Sequence, residues 1–117
     1  MNIEQEIIAK GLTALRITPA DIEANISCEF YFTAAEGVLG ESAMGIQPSG
    51  LARALDTLTF CVLVMRNGFT VTGESACASP ENFDEEIGRK IARANAVSKI
   101  WPLMGYALKS KLAETLP

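Results

Sequence analysis

The side chains best suited to chemistry are a set of cations with amide and aromatic neighbours. Arg89 and Arg93 are four residues apart, so on a helix they occupy successive turns of one face, with Asn95 and Lys99 further along. Such a row forms an anion-facing wall. Guanidinium groups pair with phosphate oxygens, and the carboxamides of Asn82 and Asn95 can read a base or ribose edge. Arg16 stands just before Thr18-Pro19, a helix start, where it can join the helix N-terminus in holding a phosphate. Arg66 and Phe69 flank Asn67-Gly68 and offer a guanidinium and a stacking ring side by side. The ordinary reading of each is an exposed cation balanced by nearby acids, and no single position is specific by itself.

Catalysis has little to stand on. The 117 residues include no histidine, which removes Ser-His-Asp triads, imidazole bases, and His-ligated zinc or haem. Glu81, Asp84, Glu85 and Glu86 invite a paired-carboxylate reading, but acids are favoured in the first turns of a helix for the dipole alone. Glu85–Arg89 and Glu86–Lys90 also have i,i+4 spacing. Gly73-Glu74-Ser75-Ala76-Cys77 lacks the closing glycine of a nucleophile elbow and any base to activate its serine or cysteine. No Gly-Lys-Ser/Thr follows Gly37-Val38-Leu39-Gly40, so it is not a phosphate loop. Cys28, Cys61 and Cys77 are odd in number, form no C-x-x-C and fall in strand-like segments, where cysteine acts as a small hydrophobe. The expectation is a binding protein with no catalytic residue, cofactor or metal.

Charge and composition narrow the class further. The net charge is −4, but up to Gly88 there are four basic and thirteen acidic residues, and beyond it six basic against Glu114 alone. An acidic body with a basic C-terminal part can pair with itself, so a homo-oligomer is expected. The acidic total argues against a nucleic-acid partner, since phosphate neutralisation needs a basic surface. The length suits a single α+β domain over residues 1–117. The acidic start is unlike a signal peptide and no apolar run approaches a membrane span, so a soluble cytoplasmic protein is expected.

The elements that must position these residues can be read in order. Gly11 and a short apolar set make any helix in residues 1–16 marginal. Thr18-Pro19-Ala20-Asp21 opens a helix with a cap, a proline at its first position and an acidic first turn. Cys28–Ala34 has the aromatic content of a strand. Residues 35–57, broken by glycines and Pro48, read as a long loop or an insertion with at most a brief helical turn. Two β-rich runs flank Asn67-Gly68, a hairpin signal, and a two-residue turn sets Val64 opposite Val71 and Val62 opposite Gly73. Ser79-Pro80 restarts helix, and the stripe Phe83, Ile87, Ile91, Ala94 and Trp101 should cover the sheet, with Gly88, Ala92 and Ala96 on a second packable face. Pro102 should end that helix and begin another, in which Met104, Leu108 and Leu112 share a face. The sum is a small antiparallel sheet with a central hairpin, flanked by two C-terminal helices.

The run Asn67-Gly68-Phe69-Thr70-Val71-Thr72-Gly73-Glu74-Ser75-Ala76, with Asn82-Phe83-Asp84, Ile87-Gly88, Ala92, Ala96 and Lys99-Ile100-Trp101-Pro102-Leu103, resembles a family of small phage and prophage proteins. That family includes the first-described Thoeris anti-defence proteins. The resemblance covers residues 58 to 112, and Arg16–Glu23 and Tyr31–Ala35 are also similar to members. It implies a sponge that binds cyclic ADP-ribose-type immune signals, or cyclic oligonucleotides, without cleaving them. It also implies oligomers with ligand sites between protomers, where Arg89, Arg93 or Lys99 would meet Phe69, Arg66 or Arg16 of another chain. The alternative is a small phage protein that inhibits a host protein by direct binding.

Overall fold

The computed structural model describes residues 2–41 and 50–116. In chain order they form α1 (Ile3–Ala9), α2 (Pro19–Ala24), β1 (Ile26–Thr33), α3 (Ala34–Glu41), a 3-10 helix (Gly50–Thr57), β2 (Leu58–Met65), β3 (Thr70–Ala76), a 3-10 turn (Pro80–Asn82) and α4 (Glu85–Ala113). The strands make one antiparallel sheet in the order β1-β2-β3. This is the α+β architecture the sequence indicates, with the apolar strand β2 in the centre.

Local capping sets the helix starts. In α1 the Asn2 side chain accepts the Gln5 N–H (2.8 Å) while the Gln5 side chain accepts the Asn2 N–H (3.0 Å). Thr18 and Asp21 form the same reciprocal box at α2, and Thr33 and Glu36 form it at α3. Each box satisfies two donors that a helix start would otherwise leave bare. The box at Thr33 explains why the segment expected as a loop is helical over Ala34–Glu41 despite Gly37 and Gly40; residues 42–49 of that segment lie outside the described residues.

Three expectations about the second half are corrected. First, the hairpin is one residue out of the expected register: Cys61 lies opposite Gly73 and Leu63 opposite Val71, while Val62 meets Thr72. The turn holds three residues, with the Met65 N–H on the Phe69 carbonyl (2.7 Å) and only Gly68 at positive φ (88°). A three-residue loop with glycine in the left-handed position is the alternative to the two-residue turn, and the one-residue slip changes which side chains share a face. The inner face of β2 is therefore Thr59, Cys61, Leu63 and Met65, all buried.

Second, α4 turns its small-residue face to the sheet. Gly88, Ala92, Ala96 and Ile100 are the buried residues of the helix, whereas Ile87 and Ile91 are 57% and 47% exposed. Small side chains win because the sheet below is also small, at Gly73, Cys61 and Thr59, so the two backbones close to contact distance. Larger groups fill the rest of the core, where Leu63, Met65 and Val71 meet Ile100 and Ile22. On the outer sheet face α3 packs at the stacked pair Phe32–Phe60 (centroids 5.5 Å apart), where a β-carbon on Gly37 would lie 3.2 Å from the Phe32 ring, while Phe30 is 57% exposed and Val62 and Val64 are half-buried.

Third, Pro102 does not divide the C-terminal region. One helix of 29 residues runs from Glu85 to Ala113 with Pro102 inside it. Pro102 has no N–H to donate to the Ser98 carbonyl, but both residues are exposed, so water can satisfy that carbonyl. The start of α4 is also displaced from Ser79, which makes no side-chain cap, to Asp84, whose carboxylate accepts the Ile87 N–H at 2.9 Å. At 1.5 Å per residue the helix is about 43 Å long, against a longest extent of 62 Å for the molecule.

Candidate functional site

The turn of the β2–β3 hairpin is pinned to the end of α2. The Arg66 N–H donates to the Asn25 carbonyl (3.0 Å), and the Arg66 Nε donates to the carbonyl of Ala24. Asn67 Oδ1 accepts the Phe69 N–H at 2.9 Å, which fixes the turn that carries the ring. Asn25 in turn points its amide at the Met104 sulfur (3.6 Å), joining the turn, α2 and the second half of α4.

This joint leaves an open groove of about 770 Å³ between α2 with its leading segment and the last turns of α4. Its apolar lining includes Ile17, Met104 and Leu108, and its charged lining is Arg16, Arg66 and Lys111 with the carboxylate of Asp21. Volume and lining suit a small organic ligand, and the excess of three cations over the single carboxylate suits an anionic one. A second hollow of about 260 Å³ shares Asn25 and Met104 with the first and holds Phe69, Asn67 and Leu103. Arg16, Arg66 and Phe69 of the candidate set are thus gathered around one end of the molecule.

Each of the three cations has a different state. Arg66 has its Nε engaged, and its terminal nitrogens carry no hydrogen bond among the described residues. Lys111 makes no ion pair within 4 Å among the described residues. Arg16 holds the Glu4 carboxylate with both terminal nitrogens, at 3.0 and 2.5 Å. This pairing draws the Glu4 carboxyl below its ordinary value and lifts Arg16 above its own, with burial acting against both.

Arg89 and Arg93 lie near the other end of α4, about 27–33 Å along the helix from Lys111 at 1.5 Å per residue. Arg93 donates to Glu23 (2.9 and 2.7 Å) and to Glu29 (2.8 Å), tying α4 to α2 and β1. Arg89 pairs with Glu85 (2.7 Å) and lies over the Tyr31 ring, 5.5 Å from its centroid. Burial pushes the Tyr31 hydroxyl up to about 12, with the nearby Cys61 and Glu29 adding to the shift. The Asn95 amide donates to the Glu74 carbonyl at 2.7 Å, and Lys99 is exposed with no ion pair among the described residues. Asn82 closes the exposed 3-10 turn ahead of α4. These five are not brought to the groove within one chain.

Lys111 escaped the sequence reading although a signal for it existed. It falls between Leu108 and Leu112 on the 104–108–112 helical face already recognised as apolar. The cysteines divide. Cys61 is fully buried, in keeping with a small hydrophobe, but Cys28 is exposed on the outer sheet face, and Cys77, expected in a strand, lies just past the end of β3, where its thiol donates to the Ser79 carbonyl at 3.2 Å. No group of three or more possible metal-ligating side chains occurs among the described residues, and no helix there is long and apolar enough to cross a membrane.

Fold and groove together define a small α+β protein with a mostly apolar cleft that cations line. Residues 17–112 match the family described as Phage protein (N4 Gp49/phage Sf6 gene 66) family, and the chain belongs to that family. No curated protein and no solved structure matches it.

Proposed function

We propose that this phage-family protein is an anti-defence sponge: it binds a cyclic ADP-ribose-type immune signal, or a cyclic oligonucleotide, and holds it intact. The observation that carries this reading is the mostly apolar groove whose lining includes Arg16, Arg66 and Lys111 against one carboxylate, Asp21. These cations offer donors to a pyrophosphate, and the apolar lining, with Phe69 in the adjoining hollow, offers an apolar surface to a base. A sponge needs affinity without turnover, and a chain with no histidine supplies no imidazole to activate water against the ligand.

Self-association belongs to the same proposal. Phe30, Ile87 and Tyr106 are 57%, 57% and 77% exposed on outward faces, and the acidic body and basic C-terminal part of two copies attract each other. In such an oligomer the anionic ligand could meet Lys99 or Arg89 of a second copy as well as the groove of the first. The same exposed apolar faces favour the second reading, direct inhibition of a host protein, which requires a stoichiometric protein complex and no small ligand.

A thermal-shift screen against cyclic ADP-ribose isomers and cyclic di- and trinucleotides tests the reading. Free ligand at ~100 times its dissociation constant stabilises a fold by ~2.7 kcal/mol. The expected result is a higher melting temperature with one class, and recovery of that ligand unchanged after denaturation. An unmoved melting temperature with every candidate would count against the sponge.

A further inference from the structure

The helix α1 offers little packing to the rest of the chain. It has no buried residue, Ile3 and Ile8 are 77% and 67% exposed, and an open hollow of about 470 Å³ separates Ile8, Leu12 and Leu15 from Thr18 and Asp21 of α2. Among the described residues, the polar tie between this helix and the body is the Glu4–Arg16 pair. Its geometry is that of an anion site already filled: two carboxylate oxygens sit on the two terminal nitrogens of Arg16, as two oxygens of a phosphate group would. The helix and Arg16 both lie outside the residues 17–112 that match the family.

We infer that Glu4 is a built-in occupant of the anion-binding end of the groove, and that an anionic ligand binds by displacing α1 from Arg16. This rests on the groove being the ligand site. The consequences follow from competition. While Glu4 is in place, Arg16 is neutralised and only Arg66 and Lys111 offer unpaired charge to an incoming anion. A ligand with a phosphate or pyrophosphate exchanges one carboxylate for a group of higher charge, and gains the third cation only when the arm leaves. The arm therefore selects against weak monoanions, which cannot outcompete a tethered carboxylate. Because the helix is secured by one partly exposed ion pair and the half-buried Ile7, and contributes no residue to the buried core, its release leaves that core unchanged.

The test is titration of inorganic pyrophosphate and of cyclic ADP-ribose into the full chain and into Glu4→Ala, with Glu6→Ala as the control. Glu6 lies on the same helix and pairs with Lys10 instead (3.4 Å). The expected result is that Glu4→Ala binds pyrophosphate about two- to five-fold more tightly, the range an exposed ion pair controls, while Glu6→Ala binds like the parent. Amide exchange over residues 3–9 of the parent should also rise at saturating pyrophosphate. Equal affinities with unchanged exchange would overturn the displacement while leaving the groove as a binding site. Binding of pyrophosphate by neither protein would overturn both the displacement and the groove reading.

Discussion

A β-carbon added at Gly73 would lie 2.2 Å from the Ala92 carbonyl oxygen and 2.3 Å from the Ala96 nitrogen. β3 and α4 meet backbone to backbone at this point, so neither neighbour can turn aside. Gly73→Ala should force the layers apart and destabilise the fold by about 3 kcal/mol or more, at or above the top of the usual overpacking range. Urea denaturation reads this directly, and a loss below about 1 kcal/mol would show that the helix does not approach as closely as described.

The start of α4 gives a second contrast. Asp84→Ala removes the side chain that accepts the Ile87 N–H and should cost about 1 kcal/mol. Ser79→Ala removes no cap bond and should be close to neutral in the same denaturation experiment. Equal losses at the two positions, or a larger one at Ser79, would return the helix start to the Ser79-Pro80 position.

Arg93 links three elements through Glu23 and Glu29, and this has a pH signature. Hydrogen bonding to Arg93 holds the Glu23 carboxyl below its ordinary value, while partial burial works in the opposite direction. Because the native value is depressed, the pair's stabilisation is present above the unfolded carboxylate value near ~4.3 and is lost as pH falls through the native one. With Glu23 54% exposed, the effect on stability should stay under about 1 kcal/mol. Carboxyl NMR should show Glu23 titrating low in the parent and returning toward the ordinary range in Arg93→Ala; identical titrations would contradict the pairing.

Much of the local structure was written in short segments. Thr18-Pro19-Ala20-Asp21 specifies its cap chemistry within four residues, and Asn67-Gly68 marks the hairpin without reference to the rest of the chain. What could not be read was decided by long-range fit. Whether α4 presents Ile87 and Ile91 or Gly88 and Ala92 depends on Gly73 facing it from β3, and that depends on a hairpin register one residue away from the simplest turn. Pro102 stays in the helix because it and Ser98 face water, a property of packing and not of the Trp101-Pro102 sequence. The groove was half legible: Arg16, Arg66 and Phe69 stood out as chemistry, but their gathering depends on Arg66 reaching the end of α2 at Ala24. The capture of Arg16 by Glu4 joins residues twelve apart across a glycine-containing turn, and the pairing of Arg93 spans 64 and 70 positions, so neither had a spacing to betray it.

The most direct test of the groove as the ligand site is isothermal titration of cyclic ADP-ribose isomers into the parent, Lys111→Ala and Lys90→Ala. Lys111 lines the groove with no ion pair among the described residues, whereas Lys90 is on the same helix near its far end, paired with Glu86 at 3.2 Å. A hydrogen bond to a charged group contributes ~1.5–3 kcal/mol, so loss of Lys111 should weaken binding about ten-fold or more and loss of Lys90 should leave it unchanged. Equal affinity in all three proteins, or no binding by the parent, would contradict the account.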